Sequence, residues 1–297
     1  MAELVEGIPQ YFDEPFADSS QIPTMLVSKL AREKVTVVLS GDAGDELFCG
    51  YNIYGAMPLA QRLDVLGAVV NALSQLPLGG DKKLFDLLPY RVKIVAANRD
   101  AETKTQFGKI NYEQAAHAMA GDGLPVRYRI ESAIDERYWQ RRRMLLDMLT
   151  YLAGDGLCKV DRSAMRYSLE ARCPILDVNV VEYSFRMPHT FKYNNGEKKR
   201  ILKDLAHQYI PKHLLDRPKK GFGVPIDKWL KTRLRDQLLG LSRESVLKRQ
   251  GVFHPVQTQA IVDRFLTAQN TPGNYYAAIV WAFFVFQKWY EKYISSL

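Results

Sequence analysis

The segment Val35-Thr36-Val37-Val38-Leu39 carries the strongest strand signal in the chain, apolar and β-branched, and it follows a helical pattern over Thr24 to Lys34. A buried-type strand cannot stand alone, because its backbone donors and acceptors need a neighbour. From Glu46 onward, however, the sequence offers almost no second strand of that quality. Leu59 to Leu76, Lys83 to Asn98, Ala101 to Ala120, Arg141 to Leu152, Val160 to Glu170, Glu197 to Tyr209 and Pro272 to Ile294 all favour helix. Glycine and proline at Pro77 to Asp81, Gly121 to Pro125 and Pro218 to Pro225 punctuate these segments as loops. The expectation is an α/β chain with a large helical share, whose missing strands are either weakly patterned or outside the chain.

The strand runs directly into Ser40-Gly41-Asp42-Ala43-Gly44-Asp45-Glu46. Ligands of open α/β sheets gather at the carboxyl ends of strands, and this end carries two glycines and three carboxylates. Gly41 and Gly44 permit close backbone approach to a ligand. Magnesium favours carboxylate oxygens together with substrate phosphates, which makes Asp42 and Asp45 candidates for the metal or phosphate side. The competing reading has Asp45 capping a helix from Glu46 to Tyr54, with Asp42 in solvent.

The 297 residues suit one or two domains, and 47% hydrophobic content is ordinary for a globular protein. A formal charge of +8 can attract nucleic acid, acidic membranes or small anions. The densest basic clusters, Arg141-Arg142-Arg143, Lys198-Lys199-Arg200 and Arg217 with Lys219-Lys220, are not interleaved with aromatics, so no nucleic-acid partner is expected. The apolar run Tyr275 to Phe286 is 12 residues long, against roughly 20 for a bilayer span. It reads as a core helix, and no membrane partner is expected. The acidic start argues against a secretory signal. Cys49, Cys158 and Cys173 suggest neither a disulfide framework nor a metal knuckle, so a cytoplasmic location is expected. The histidines share no metal-like spacing.

Four ordered segments resemble the synthetase domain of glutamine-dependent asparagine synthetases. Leu39 to Tyr51, L-S-G-D-A-G-D-E-L-F-C-G-Y, resembles that family's L-S-G-[DE]-G-x-D-E-[LV]-F-G-G-Y signature. Phe12 to Ser20 is similar to its D-E-P-F-x-D-x-S stretch, and Lys159 to Met165 with Ser168 to Asp177 to its K-V-D-R and S-L-E-x-R-x-P-[FI]-L-D strings. Asp216 to Pro225 resembles [ND]-R-P-K-x-G-F-G-V-P. Ala43 and Cys49 depart from the signature, each standing where glycine is usual. With no histidine nearby in sequence, Cys49 is read as a packing residue and not as a nucleophile.

The resemblance implies a partial ATP-pyrophosphatase-type parallel sheet, of the adenine-nucleotide alpha-hydrolase kind. It also implies ATP and Mg²⁺ as cofactors, with aspartate or a related carboxylate and glutamine-derived ammonia as small-molecule partners. In that reaction ATP adenylates a carboxylate, pyrophosphate leaves, and ammonia displaces AMP to give an amide. By the same resemblance Asp42 and Lys219 are catalytic, Ser40 and Gly41 lie against the nucleotide, and Asp45 is associated with the metal. Asp13, Ser19, Asp161, Arg162, Glu170 and Arg172 belong to the substrate side. For Asp161, Arg162, Glu170, Arg172 and Asp177 a buried ion-pair network is the competing reading, and for Asp13, Ser19 and Ser20 it is capping of the next helix.

The family's glutaminase domain opens on a cysteine, whereas residue 2 here is Ala2, and no S-G-G-x-D-S phosphate loop occurs in the chain. Residues 1–297 are therefore expected to form a synthetase domain without that loop, incomplete for catalysis alone and able to dimerise through a parent enzyme. A non-catalytic helical scaffold is the alternative, as is a relative that amidates another carboxylate.

Overall fold

A computed structural model describes residues 2–63, 66, 69, 72–73, 76–79, 82–83, 119, 134, 136–216, 223–268 and 275–295. Apart from Lys83, which is in a short strand, and Met119, the helices expected over Lys83 to Asn98 and Ala101 to Ala120 lie outside the described residues, as does Lys219.

Helices α1 (Ala2–Tyr11) and α2 (Gln21–Arg32) lead into strand β1 (Val37–Leu39), helix α3 (Gly44–Leu47) and helix α4 (Asn52–Leu63). Two minor hairpins pair β2 (Pro77–Gly79) with β3 (Lys82–Lys83) and β5 (Tyr193–Asn194) with β6 (Glu197–Lys198); between them lies β4 (Glu170–Arg172). A rod of α5 (Trp139–Asp147), a π-helix (Met148–Leu157) and α6 (Cys158–Met165) precedes β4. Beyond β4 come α7 (Val178–Arg186), α8 (Arg200–Ala206), short helices between Lys212 and Gln250, α9 (Pro255–Thr267) and α10 (Tyr275–Tyr293). The result is mixed α/β, mostly helical, with small sheets.

The partner that β1 requires is β4, which runs parallel to it in the register Val37↔Glu170, Val38↔Ala171, Leu39↔Arg172. Backbone bonds from Glu170 N to Thr36 O (2.9 Å) and from Ser40 N to Arg172 O (2.8 Å) extend the pairing at both ends. This corrects the helix expected over Val160 to Glu170. That helix stops at Met165, Ser168 turns the chain at φ 54°, and Glu170 enters the strand. Glu-Ala-Arg has no β-propensity of its own, and the hydrogen-bonding edge of β1 recruits it. Nor is β1 buried on both faces: among the described residues nothing covers Val37 (39% exposed) or Leu39 (72% exposed) fully.

The main core lies away from this strand pair. Leu4, Val5, Ile8 and Phe12 of the N-terminal segment and Ile22 and Met25 of α2 share one apolar cluster with Trp281, Phe284 and Val285 of α10. The aromatic C-terminal run is thus a core helix, as its pattern suggests, and no helix among the described residues is long and apolar enough to cross a membrane. Its polar edges also fix the Asp13 to Ala17 segment. The indole N–H of Trp281 donates to Ala17 O (2.9 Å), that of Trp289 to Asp13 O (2.7 Å), and the Tyr293 hydroxyl to Pro9 O (2.9 Å).

Two substitutions separate burial from hydrogen bonding here. Trp281→Ala should cost about 3–5 kcal/mol through the lost core volume. Trp289→Phe keeps a ring but drops one bond and should cost about 1 kcal/mol; chemical denaturation checks both.

Candidate functional site

Parallel pairing delivers the chain after β1 and the chain after β4 to the same edge. The Ser40 hydroxyl donates to Asp42 Oδ2 (2.7 Å) and lies 3.2 Å from Cys173 Sγ. Asp42 is therefore held by a hydrogen bond at the strand end and is half-buried, which corrects its reading as a solvated side chain. Cys173, which carried no role in the sequence reading, becomes a neighbour of the loop.

Asp45 does not cap a helix from Glu46 to Tyr54. Ala43 occupies the N-cap of α3 in the left-handed region (φ 69°), Asp45 sits in the first turn, and α3 ends at Leu47 before α4 begins at Asn52. The break contains a second left-handed residue, Cys49 (φ 60°), next to Gly50. The two departures from the family signature thus fall at positions where positive φ favours glycine.

Gly50 has a specific reason to lack a side chain. Lys199 Nζ pairs with Asp45 Oδ1 at 2.9 Å, and a Cβ on Gly50 would lie 1.9 Å from that oxygen and 2.2 Å from Lys199 Cε. Lys199 is itself left-handed (φ 53°) and donates its backbone N–H to Phe48 O (3.1 Å). In the sequence it is only one member of a basic cluster; the long chain separation leaves no local signal of this contact.

The residues that the resemblance assigns to the substrate side do not converge on the loop as a buried network. Arg162 pairs with Asp13 (2.5 Å) and Arg172 with Glu170 (2.7 Å), and these four residues, with Asp161 and Asp177, are exposed. Exposed pairs of this kind contribute about 0–1 kcal/mol. Ser19 offers only its carbonyl, to Ile22 N (3.3 Å), and the Ser20 hydroxyl donates to Asp18 (2.7 Å) instead of capping α2. In the K-V-D-R string Lys159 is the inward member: its ammonium lies 2.6 Å from Asp18 Oδ2 and 3.7 Å from Asp155 Oδ1. Burial, then the charge of Asp18, pushes Asp155 up to about 7. Burial opposes ionisation of Asp18 as well, but Lys159 and Ser20 outweigh it and hold that carboxyl below its usual range.

On the other side of α3, Glu46 is 2% exposed and accepts from the Tyr51 hydroxyl (2.7 Å); burial raises its pKa. Tyr54 donates to Asp147 Oδ2 (3.0 Å), which also receives Arg143 Nε (2.9 Å), so a buried hydrogen bond joins α4 to an ion pair within α5. Burial pushes the Cys49 thiol up to about 12, which suits a packing residue. Among the described residues no group of three or more His, Cys, Asp or Glu could hold a metal by itself.

A parallel strand pair among helices, with a glycine-containing acidic turn at its carboxyl end, makes this a mixed α/β protein. A sequence model described as asparagine synthase matches residues 1–291. The chain is 30% identical over 260 residues to glutamine-hydrolyzing asparagine synthetase 1 of Bacillus subtilis strain 168, covering 82% of this chain and 40% of that protein. It is also 30% identical over 304 residues to a Mycobacterium tuberculosis H37Rv protein provisionally named as a glutamine-hydrolyzing asparagine synthetase, covering 99% of this chain and 45% of the relative. The chain belongs to the asparagine synthase family, and it spans less than half the length of these relatives.

Gly50→Ala should destabilise the fold by about 1–3 kcal/mol by overpacking the Asp45–Lys199 contact. Gly41→Ala, with nothing within 4 Å of its Cβ position, should stay within about 0.5 kcal/mol in the same denaturation experiment. Asp155 gives a pH signature. Its folded pKa lies above the unfolded value of 3.8, so its contribution to stability is complete below about pH 4 and is lost as pH rises through about 7. Asp155→Asn should flatten that part of the stability profile measured by thermal unfolding.

Proposed function

We propose that the loop Ser40 to Glu46 is the acceptor-side and metal-side half of an ATP-dependent amide-forming site, and that its acceptor is aspartate, giving asparagine. The observation that carries this reading is the divergence of two neighbouring carboxylates at one strand end: Asp42 is oriented by Ser40, and Asp45 by Lys199. Family membership and the names of the relatives support it.

Magnesium and ATP fit this edge in a limited sense. With no metal-sized acidic cluster among the described residues, Asp45 suits a metal that reaches the protein on phosphate oxygens and takes one or two carboxylates. Lys199 adds a positive charge beside it. When bound, Mg-ATP supplies the adenylyl group that activates the acceptor carboxylate, with pyrophosphate as leaving group. Asp42, fixed by the Ser40 hydroxyl, is positioned to take a proton from the attacking ammonia. Lys219, outside the described residues, is assigned by resemblance to neutralising negative charge at the reacting centre.

The β1–β4 pair is read as two adjacent strands of an ATP-pyrophosphatase-type parallel sheet, with residues 1–297 as one synthetase domain. The exposed apolar side chains Val37 and Leu39 favour further cover on that sheet. Since the chain contains no S-G-G-x-D-S string, the activity is assayed in a protein that carries one.

In that protein, Mg-ATP, aspartate and ammonia should yield AMP and asparagine. Asp42→Asn and Lys219→Ala should each lower kcat by about 10²–10³, while Asp45→Asn should raise the magnesium concentration required. A fully active Lys219→Ala enzyme would remove that residue from the site. Turnover of another carboxylate but not of aspartate would reject the acceptor and leave the ligase reading standing.

A further inference from the structure

A cavity of about 220 Å³ lies between α3, α5 and α7, on the side of α3 that carries Glu46. Its lining is half apolar, with Met144, Met148, Met187 and Phe185 on that side, and half polar, with Glu46, Lys192, Glu136, Arg141, His189 and Ser184. Glu46 is 2% exposed and Lys192 is 7% exposed, and no ion pair joins them. Among the described residues the Lys192 ammonium makes neither a hydrogen bond nor an ion pair; it rests 5.6 Å from the centre of the Phe185 ring and 6.0 Å from that of Phe48. The Glu46 carboxyl takes the Tyr51 hydroxyl and a backbone N–H, and it has no cationic partner among the described residues. Burying an ammonium and a carboxyl on one cavity without pairing them is costly, and a ligand that satisfies both offsets that cost.

The other polar groups on the lining are already engaged. Arg141 pairs with Glu136 at 3.6 Å near the mouth, and the His189 ring is bonded to Gln140 Oε1 at 2.6 Å. Burial lowers His189 to about 4, so it supplies no charge at neutral pH. Lys192 is brought down to about 8, first by burial, and so remains mostly protonated at pH 7 while poorly compensated. Consecutive residues of a helix diverge by about 100°, so a ligand on Glu46 is not the ligand of Asp45.

We propose that this cavity binds a free α-amino acid with a small or apolar side chain, its carboxylate on Lys192 and its ammonium on Glu46. The volume suits a ligand well below drug size, and the methionines give the walls an adaptable apolar surface. The proposal requires no nucleotide and does not depend on the ligase reading.

Calorimetric titration of the intact protein with glycine, L-alanine and L-methionine, each beside its N-acetyl and carboxamide derivative, tests it. The free amino acids should bind, and removing either charge should weaken binding by about tenfold or more. Lys192→Met and Glu46→Gln should each produce a similar loss, and Lys192→Arg should retain binding. Mass spectrometry supplies a readout on the unmutated protein: the amino acid should slow reductive methylation of Lys192. Absence of binding up to about 10 mM, equal binding of the N-acetyl derivatives, undiminished binding by a folded Lys192→Met variant, or unprotected Lys192 would each overturn the proposal.

Discussion

The backbone pairing of β1 with β4 is the constraint on which the arrangement of the loop depends. Parallel strands cannot be joined by a tight turn, so the chain between Leu39 and Glu170 must cross over before the two can pair. Once they pair, both strands end at the same edge. Ser40 meets Cys173 there, and Ser40 in turn holds Asp42. The short contacts of the loop are therefore consequences of a register set by Glu170 N, Thr36 O, Ser40 N and Arg172 O. A slip of one residue would invert which side chains of β4 face each way, and Cys173 would no longer lie beside Ser40.

Charge is distributed unevenly around that edge. Arg143–Asp147, within α5, and Lys159–Asp18, which ties α6 to the segment before α2, are inward pairs, whereas Asp13–Arg162 and Glu170–Arg172 lie in solvent. Breaking a buried pair leaves an uncompensated ion and costs about 3–5 kcal/mol, so the inward pairs act as fixed points. Lys159 sits at the start of α6 immediately after the π-helix, a geometry that widens the turn bearing Asp155 and lets both residues approach Asp18. The D-E-P-F-A-D segment is thereby held from two directions, by Lys159 on one side and by the indoles of α10 on the other.

Much of this was legible in the sequence where local pattern and burial agree. The helix leading into β1, the aromatic core helix and the acidic turn after the strand all follow from periodicity and residue type. What escaped was set by contacts distant in sequence. The strand at Glu170 to Arg172 gives no signal, and Glu170 looks like the end of a helix, because the strand state comes from the edge of β1; Lys199 looks like a surface lysine because its partner, Asp45, lies far away along the chain. The charged residues singled out around Cys173 are exposed and do not form the buried network of the competing reading: adjacency in a motif does not report which side of a helix or strand meets the core. Lys159 carries the inward contact because its position on α6 faces α2, while Asp161 and Arg162 face out.

The acidic turn also explains what its glycine-like positions do. Ala43 and Cys49 both adopt positive φ, one opening α3 and one closing it, so the four-residue helix between them is bounded by two left-handed residues. Such a conformation costs a non-glycine residue about 1–2 kcal/mol. The fold retains it because the flanking contacts demand it: Gly50 N reaches back to Asp45 O (2.7 Å), Lys199 N reaches Phe48 O (3.1 Å), and Cys49 is fully buried. Within the helix its two carboxylates diverge, Asp45 toward Lys199 and Glu46 toward Tyr51 and the cavity. A longer, regular helix running on to Tyr54 would have no break after Leu47 in which Gly50 could pass beneath the Asp45–Lys199 pair. The roughly 100° step between consecutive helix residues points the adjacent acids apart, and the strained break after Leu47 brings Gly50 beneath one of them.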